Sequence, residues 1–136
     1  MHASAELPAL AATHDILVSV LPLNEQSHQL IGEKVLAALP DGALVVNVGR
    51  GPVVDTTALT KEVLSGRLQC ALDVVDPEPL PQDHPLWSTP NALITPHVGG
   101  NASAFQPRIL TLLRQQLEAL AAGQAPANLV QGGPFS

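Results

Sequence analysis

Four short segments of this sequence carry residue types suited to handling a small acid. Leu21-Pro22-Leu23, Gly49-Arg50-Gly51, Asp76-Pro77-Glu78-Pro79 and Pro96-His97-Val98-Gly99-Gly100 each follow a short apolar run. An arginine between two glycines meets a ligand with little steric obstruction, and its planar fork suits a carboxylate bidentately. His97 is the side chain best poised to exchange a proton near neutral pH, and a carboxylate such as Glu78 would orient its ring and stabilise the imidazolium. Together they describe a site that grips a carboxylic acid and moves a proton on a neighbouring oxygen. Taken singly, each has a plainer reading: a solvated arginine, a turn histidine, a glutamate among prolines facing water. Their convergence after successive strands is what favours chemistry.

Other constellations are weaker. Gly49-Arg50-Gly51 fails as a G-x-G-x-x-G dinucleotide fingerprint, because the third glycine position is Val54. Asp73, Asp76, Glu78 and Asp83 lack the spacing of a calcium loop, and the prolines among them limit their convergence. His2, His14, His28 and His84 are scattered without ligand spacing, so no metal is assigned. Cys70 sits in the middle of an apolar run and reads as a small core residue.

The elements that must position these residues follow from periodicity. Residues 15–21, 43–48, 68–74 and 91–95 are β-branched or Leu-rich runs that read as four strands. The first two lack clean alternation, as in strands of a parallel sheet buried on both faces. Ile31, Val35 and Leu39 recur every four residues, and Pro40-Asp41-Gly42 ends that helix. Asp55 caps a second helix with Leu59 and Val63 on its inner face, and Gly66 closes it. A final helix over about 103–122 places Ile109, Leu113, Leu117 and Leu120 on one amphipathic stripe that calls for a packing surface. Between them, five prolines over 74–90 leave a rigid loop, long enough to suggest function, with Leu86 and Trp87 to bury. Strand and helix alternate, so the expected fold is α/β: part of a doubly wound, Rossmann-like parallel sheet of about four strands, with a C-terminal amphipathic helix. Ligands of such sheets bind beyond the carboxyl ends of the strands, where the four segments lie.

Composition sets the outer bounds. The chain has 136 residues, 46% hydrophobic and 13% charged, which suits one domain with a real core. Six Lys and Arg against 12 Asp and Glu give a formal charge of −6, and Trp87, Phe105 and Phe135 are the only aromatics, so nucleic acid is a poor partner. No apolar run approaches the roughly 18 residues of a membrane span. The opening residues lack the layout of a signal peptide, and a lone cysteine suits a reducing cytoplasm.

Read together, the motifs resemble a known family. Leu21-Pro22-Leu23 with Leu30-Ile31, Leu39-Pro40-Asp41-Gly42-Ala43, Asn47-Val48-Gly49-Arg50-Gly51-Pro52-Val53-Val54-Asp55, Ala71-Leu72-Asp73-Val74, Glu78-Pro79-Leu80 and Thr95-Pro96-His97-Val98-Gly99-Gly100 are similar to the D-isomer-specific 2-hydroxyacid dehydrogenases. His84-Pro85-Leu86-Trp87 resembles the glyoxylate and hydroxypyruvate reductase branch most. The resemblance runs from about Thr13 to Val130 and implies an NAD- or NADP-dependent reductase of small 2-oxo acids. It implies that Arg50 holds the substrate carboxylate and carbonyl, that His97 donates the proton, and that Glu78 pairs with His97. Asp73 and Gly99 would sit at the nicotinamide carboxamide, and backbone around Leu21, Pro22, Val48 and Gly49 would line the dinucleotide. Ser27 stands where the family often has Thr, and Trp87 would shape the substrate pocket or simply pack.

The family's substrate-binding segment and its G-x-G-x-x-G turn precede the region that resembles this chain. Residues 1–130 are therefore expected to be the second half of an NAD(P)-binding domain plus its returning helix, with 131–136 an irregular tail. In the strand order 3-2-1-4-5-6 the strand at 15–21 is the fourth, and its edge is expected to lie open. An open apolar edge invites pairing with another chain. Two functions follow as expectations: a catalytic piece of an oxidoreductase whose activity needs the missing half from another chain, or a non-catalytic subunit or cofactor-binding module that associates with a full-length relative. In either case the chain is expected to form a homo-oligomer or to associate with a complementary or full-length chain.

Overall fold

The structure is a computed structural model and describes residues 3–128. His2 and the tail at 131–136 lie outside the described residues. The chain divides into two compact units, residues 1–99 and 100–136.

The first unit is built on a four-stranded parallel sheet: β1 (Ile16–Ser19), β2 (Leu44–Asn47), β3 (Gln69–Leu72) and β4 (Ala92–Ile94), in the order β1-β2-β3-β4. All four expected strands are present, each trimmed at its ends. Helix α1 (Leu7–Ala11) precedes β1, α2 (Glu33–Ala38) connects β1 to β2, and α3 (Thr56–Leu64) connects β2 to β3. Between β3 and β4 the proline-rich loop forms only a single 3-10 turn, Pro85–Trp87.

Strands added in sequence order by right-handed crossovers all send their connections over the same face of the sheet. Burial follows that rule. Ser19, Val45, Asn47, Cys70 and Leu72 are buried on the helix side, against Leu36, Leu59, Val63 and Leu68. On the other side Ile16, Val18 and Leu93 are 59%, 54% and 63% exposed. The expectation of strands buried on both faces is thus corrected: within this unit the first three strands alternate, and the apolar residues at the even positions of β1 face outward. The sheet is one wing of a doubly wound arrangement, with β1 at an open edge.

Local signals explain the helices. The Asp55 carboxylate accepts from the Ala58 amide and starts α3, while Gly66, at φ +79°, closes it in the left-handed region. Gly42, at φ +83°, turns the chain after α2. Helix α1 was not expected from periodicity; it is five residues long, with Pro8 in its first turn and Ala11 buried. The proline-rich loop is anchored by Leu80 and Leu86, 4% and 1% exposed. Trp87, expected to help bury it, is instead half exposed, its indole N–H donating to the Pro81 carbonyl at 2.8 Å.

One side chain ties α2 to α3. The carbonyls at the end of a helix have no partner within it, and Arg67 supplies one: its guanidinium donates to Leu36 O at 2.6 Å and Leu39 O at 2.7 Å. Its Nε sits 2.6 Å from Glu62 Oε2. Asp41, 3.7 Å away and well exposed, adds little.

The second unit contains α4 (Phe105–Ala121), close to the expected 103–122. Gly123, at φ +66°, lets the Gln124 amide turn back to Ala119 O at 2.8 Å and close the helix. Ile109, Leu113, Leu117 and Leu120 form the expected stripe, and no residue of α4 is buried. No helix among the described residues is long and apolar enough to cross a membrane.

Replacing Arg67 with Met strands two carbonyls and one carboxylate while keeping the stem. Unfolding in urea is expected to show a loss of about 2 kcal/mol, read as a lower midpoint at unchanged slope.

Candidate active site

The ladder of the parallel sheet runs past the strand ends. Val48 N donates to Ser19 O at 3.0 Å, Asp73 N to Asn47 O at 3.0 Å and Thr95 N to Leu72 O at 2.9 Å. These bonds hold the segments after β1, β2, β3 and β4 on one rim, in register.

After β2, Asn47 shapes the arginine turn. Its side chain is buried at 1% exposure; the amide donates to Arg50 O at 2.9 Å and the carbonyl accepts from Gly49 N at 3.1 Å. The turn lies tight against both neighbours. A Cβ on Gly49 would stand 2.6 Å from Leu21 O, and one on Gly51 would run into Val75 O. Glycine is thus required at both positions by backbone-to-backbone contact, which carries Arg50 outward between them. Arg50 is exposed, its guanidinium donating to Gly49 O at 2.7 Å.

After β3 and β4 the expected pair forms. His97 Nδ1 lies 2.7 Å from Glu78 Oε1, with both side chains about half exposed. They border a cavity of about 390 Å³ lined also by Val75, Leu80, Trp87 and Ile94. Arg50 does not line this cavity. Its turn stands two strands from that of His97, roughly 10 Å by the spacing of strands in a sheet, which is a separation a small acid and a long guanidinium stem can bridge.

Asp73, 9% exposed, lies beneath the histidine turn. Its Oδ1 accepts from Thr95 Oγ1 at 2.6 Å and Val98 N at 2.9 Å, and its Oδ2 from Gly99 N at 2.7 Å. The Thr95 hydroxyl first, then the Gly99 and Val98 amides, hold this carboxyl below its ordinary pKa, because each hydrogen bond favours the charged form.

The remaining expected residues are placed as follows. Leu21, Pro22 and Val48 are exposed at the carboxyl ends of β1 and β2, and Gly99 is exposed above Asp73. Ser27 is 6% exposed, and its hydroxyl is engaged within the loop after β1, donating to Pro22 O at 2.7 Å and accepting from Asn24 N at 2.8 Å. Cys70 is buried in β3, and burial pushes its thiol up to about 11. Among the described residues no group of three or more His, Cys, Asp or Glu could hold a metal ion. The residue that sequence reasoning left without a task is Asn47. The available signal was an amide at an inward position of an otherwise β-branched run.

A parallel sheet with an arginine turn and a histidine–glutamate pair at its carboxyl ends has the open α/β architecture whose ligands bind beyond the strand ends. The sequence pattern of the D-isomer specific 2-hydroxyacid dehydrogenase NAD binding domain matches residues 1–99, and the chain belongs to that family. It is 39% identical over 126 residues to glyoxylate/hydroxypyruvate reductase B of Pectobacterium atrosepticum, covering 92% of this chain and 39% of that protein. It is 38% identical over 125 residues to a glyoxylate reductase of Aeropyrum pernix, covering 91% and 37%. The D-isomer specific 2-hydroxyacid dehydrogenase of Xanthobacter autotrophicus, solved in complex with NADPH and MES, superposes with a TM-score of 0.84 at 36% identity. That match covers 96% of this chain and 54% of that one. The chain thus spans about two-fifths of the length of the curated relatives.

Because the Asp73 pKa is lowered in the folded state, the carboxylate stabilises the histidine turn fully above the ordinary aspartate value of about 3.9. That contribution is lost as pH falls below it, through the folded value. The protection of the Val98 and Gly99 amides, taken relative to unstructured amides at the same pH, is expected to hold down to that range and to fall below it. Protection lost already near neutral pH would contradict the assignment.

Proposed function

We propose that this chain carries the proton-donating and carboxylate-binding side of an NAD- or NADP-dependent reduction of small 2-oxo acids such as glyoxylate and hydroxypyruvate. The observation that carries the reading is the 2.7 Å contact between His97 Nδ1 and Glu78 Oε1. With Nδ1–H donating to Glu78, Nε2 is the nitrogen left for substrate. As the carbonyl carbon gains a hydride, the carbonyl oxygen takes the Nε2 proton, and the imidazole keeps its Nδ1 proton on Glu78. The glutamate fixes the orientation of the ring. Arg50 grips the substrate carboxylate through its fork. Trp87 borders the cavity and shapes its substrate end.

A bound nicotinamide would supply the hydride. Leu21, Pro22, Val48, Gly49 and the loop held by Ser27 would line the dinucleotide, and Asp73 and Gly99 would face the carboxamide edge. A carboxylate has about four lone-pair positions, of which the Thr95, Val98 and Gly99 donors use three, so one acceptor position remains. We read residues 1–130 as the second half of an NAD(P)-binding domain with its returning helix.

A second reading is a non-catalytic subunit that acts by association. It is favoured by the open edge of β1, where Ile16, Val18 and Val20 are 59%, 54% and 69% exposed without a lysine or proline among them. In this reading a second copy or a longer relative pairs with that edge. The reducing cytoplasm suits either reading.

Loss of NADH or NADPH absorbance with hydroxypyruvate and glyoxylate separates the two. Turnover by the purified chain, or by the chain mixed with a polypeptide carrying the family's glycine-rich half, is expected to fall by at least about 100-fold in His97→Ala. Turnover that survives this substitution would remove His97 from the mechanism. A partner that binds with no turnover in either arrangement would favour the second reading.

A further inference from the structure

His97 has a backbone φ of +53°, in the left-handed region that few non-glycine residues occupy, histidine more readily than most. The contacts that hold it there lie on both sides of the residue. Two positions before it, Thr95 donates its hydroxyl to Asp73; one and two positions after it, Val98 and Gly99 donate their amides to the same carboxylate. The His97 amide closes the turn on Thr95 O at 3.0 Å. Asp73 is itself fixed, because its amide is bonded to Asn47 O and it directly follows β3. The carboxylate is therefore a rigid post around which the segment 95–99 is wrapped, and the imidazole leaves that wrap aimed at Glu78.

We propose that Asp73 is a positioning residue for the proton donor: by binding Thr95, Val98 and Gly99 at once it holds His97 in the conformation that lets Nδ1 meet Glu78 and leaves Nε2 for substrate. This rests on the reading of His97 and Glu78 given above, and adds to Asp73 a task separate from any contact with a nicotinamide. The charge is needed as well as the shape. An asparagine keeps one acceptor oxygen for Thr95 and Val98 but turns an N–H₂ toward the Gly99 amide, setting donor against donor.

The test reads the imidazole directly and does not depend on turnover. In the ¹⁵N-labelled full chain, long-range proton–nitrogen correlation at about pH 8, where an ordinary histidine is neutral, reports which ring nitrogen carries the proton. The His97 signal is assigned by its disappearance in His97→Gln. The wild-type chain is expected to show mainly the Nδ1–H tautomer, and Glu78→Gln to lose that preference. Asp73→Asn is expected to lose it too, with the Val98 and Gly99 amide signals displaced. Thr95→Val, which removes one donor and keeps the side-chain shape, is expected to shift the tautomer ratio in the same direction by a smaller amount, and it decides the matter if Asp73→Asn does not fold. If Glu78→Gln changes the tautomer while Asp73→Asn and Thr95→Val leave it as in the wild type, the positioning role is overturned and the His97–Glu78 reading stands. If Glu78→Gln changes nothing, the reading beneath it fails as well.

Discussion

The arrangement depends on parallel strand pairing that continues one residue beyond each regular strand. Backbone bonds from Val48 to Ser19, Asp73 to Asn47 and Thr95 to Leu72 fix four chain segments at the same height. A one-residue slip in any of them would move every side chain to the opposite face of the sheet. It would bring Val46 or Val48 inward in place of Asn47, and leave the arginine turn without its internal partner. The register also has a packing cause, since Val45, Cys70 and Leu72 are buried only in this alignment, against α2 and α3. Hydrophobic burial therefore sets the register, and the register sets the rim.

On the rim itself, buried polar side chains do much of the positioning. Asn47 reads the backbone of the Arg50 turn, and Asp73 reads the backbone of the His97 turn. The two are joined by a single hydrogen bond between Asp73 N and Asn47 O. Glycines 49 and 51 allow the three loops to touch backbone to backbone, leaving little room for relative movement. Arg50, Glu78 and His97 are exposed side chains, and the turns of Arg50 and His97 are tied to the buried Asn47 and Asp73. This division suits a site whose reactive groups must meet a ligand while their origins stay fixed.

The unit's asymmetry follows from the same topology. Crossovers in one direction cover one face, and the other face keeps Ile16, Val18 and Leu93 in solvent. Along β1 both an edge and an apolar face are unpartnered among the described residues.

The sequence alone determined the elements, their order and the chemistry-bearing residues. Strand runs, the Asp55 cap, the glycines at 42 and 66, and the four segments after the strands are local features written in residue type and spacing. It missed α1, whose five residues are too few to show a helical period, and it misjudged Trp87, whose indole bonds a nearby carbonyl instead of entering the core. Alternation in β1 was hidden because apolar residues occupy both faces, so the string of Ile, Leu and Val looked doubly buried. Only the tertiary structure decided the tasks of Arg67, Asn47 and Asp73. Arg67 and Asp73 bond groups up to 31 and 26 residues away along the chain, partners that become neighbours only once the sheet has formed, whereas Asn47 bonds the nearby Gly49 and Arg50 and owes to the fold its buried placement. The identity of a side chain states which bonds it is able to make; the fold determines which of them are within reach.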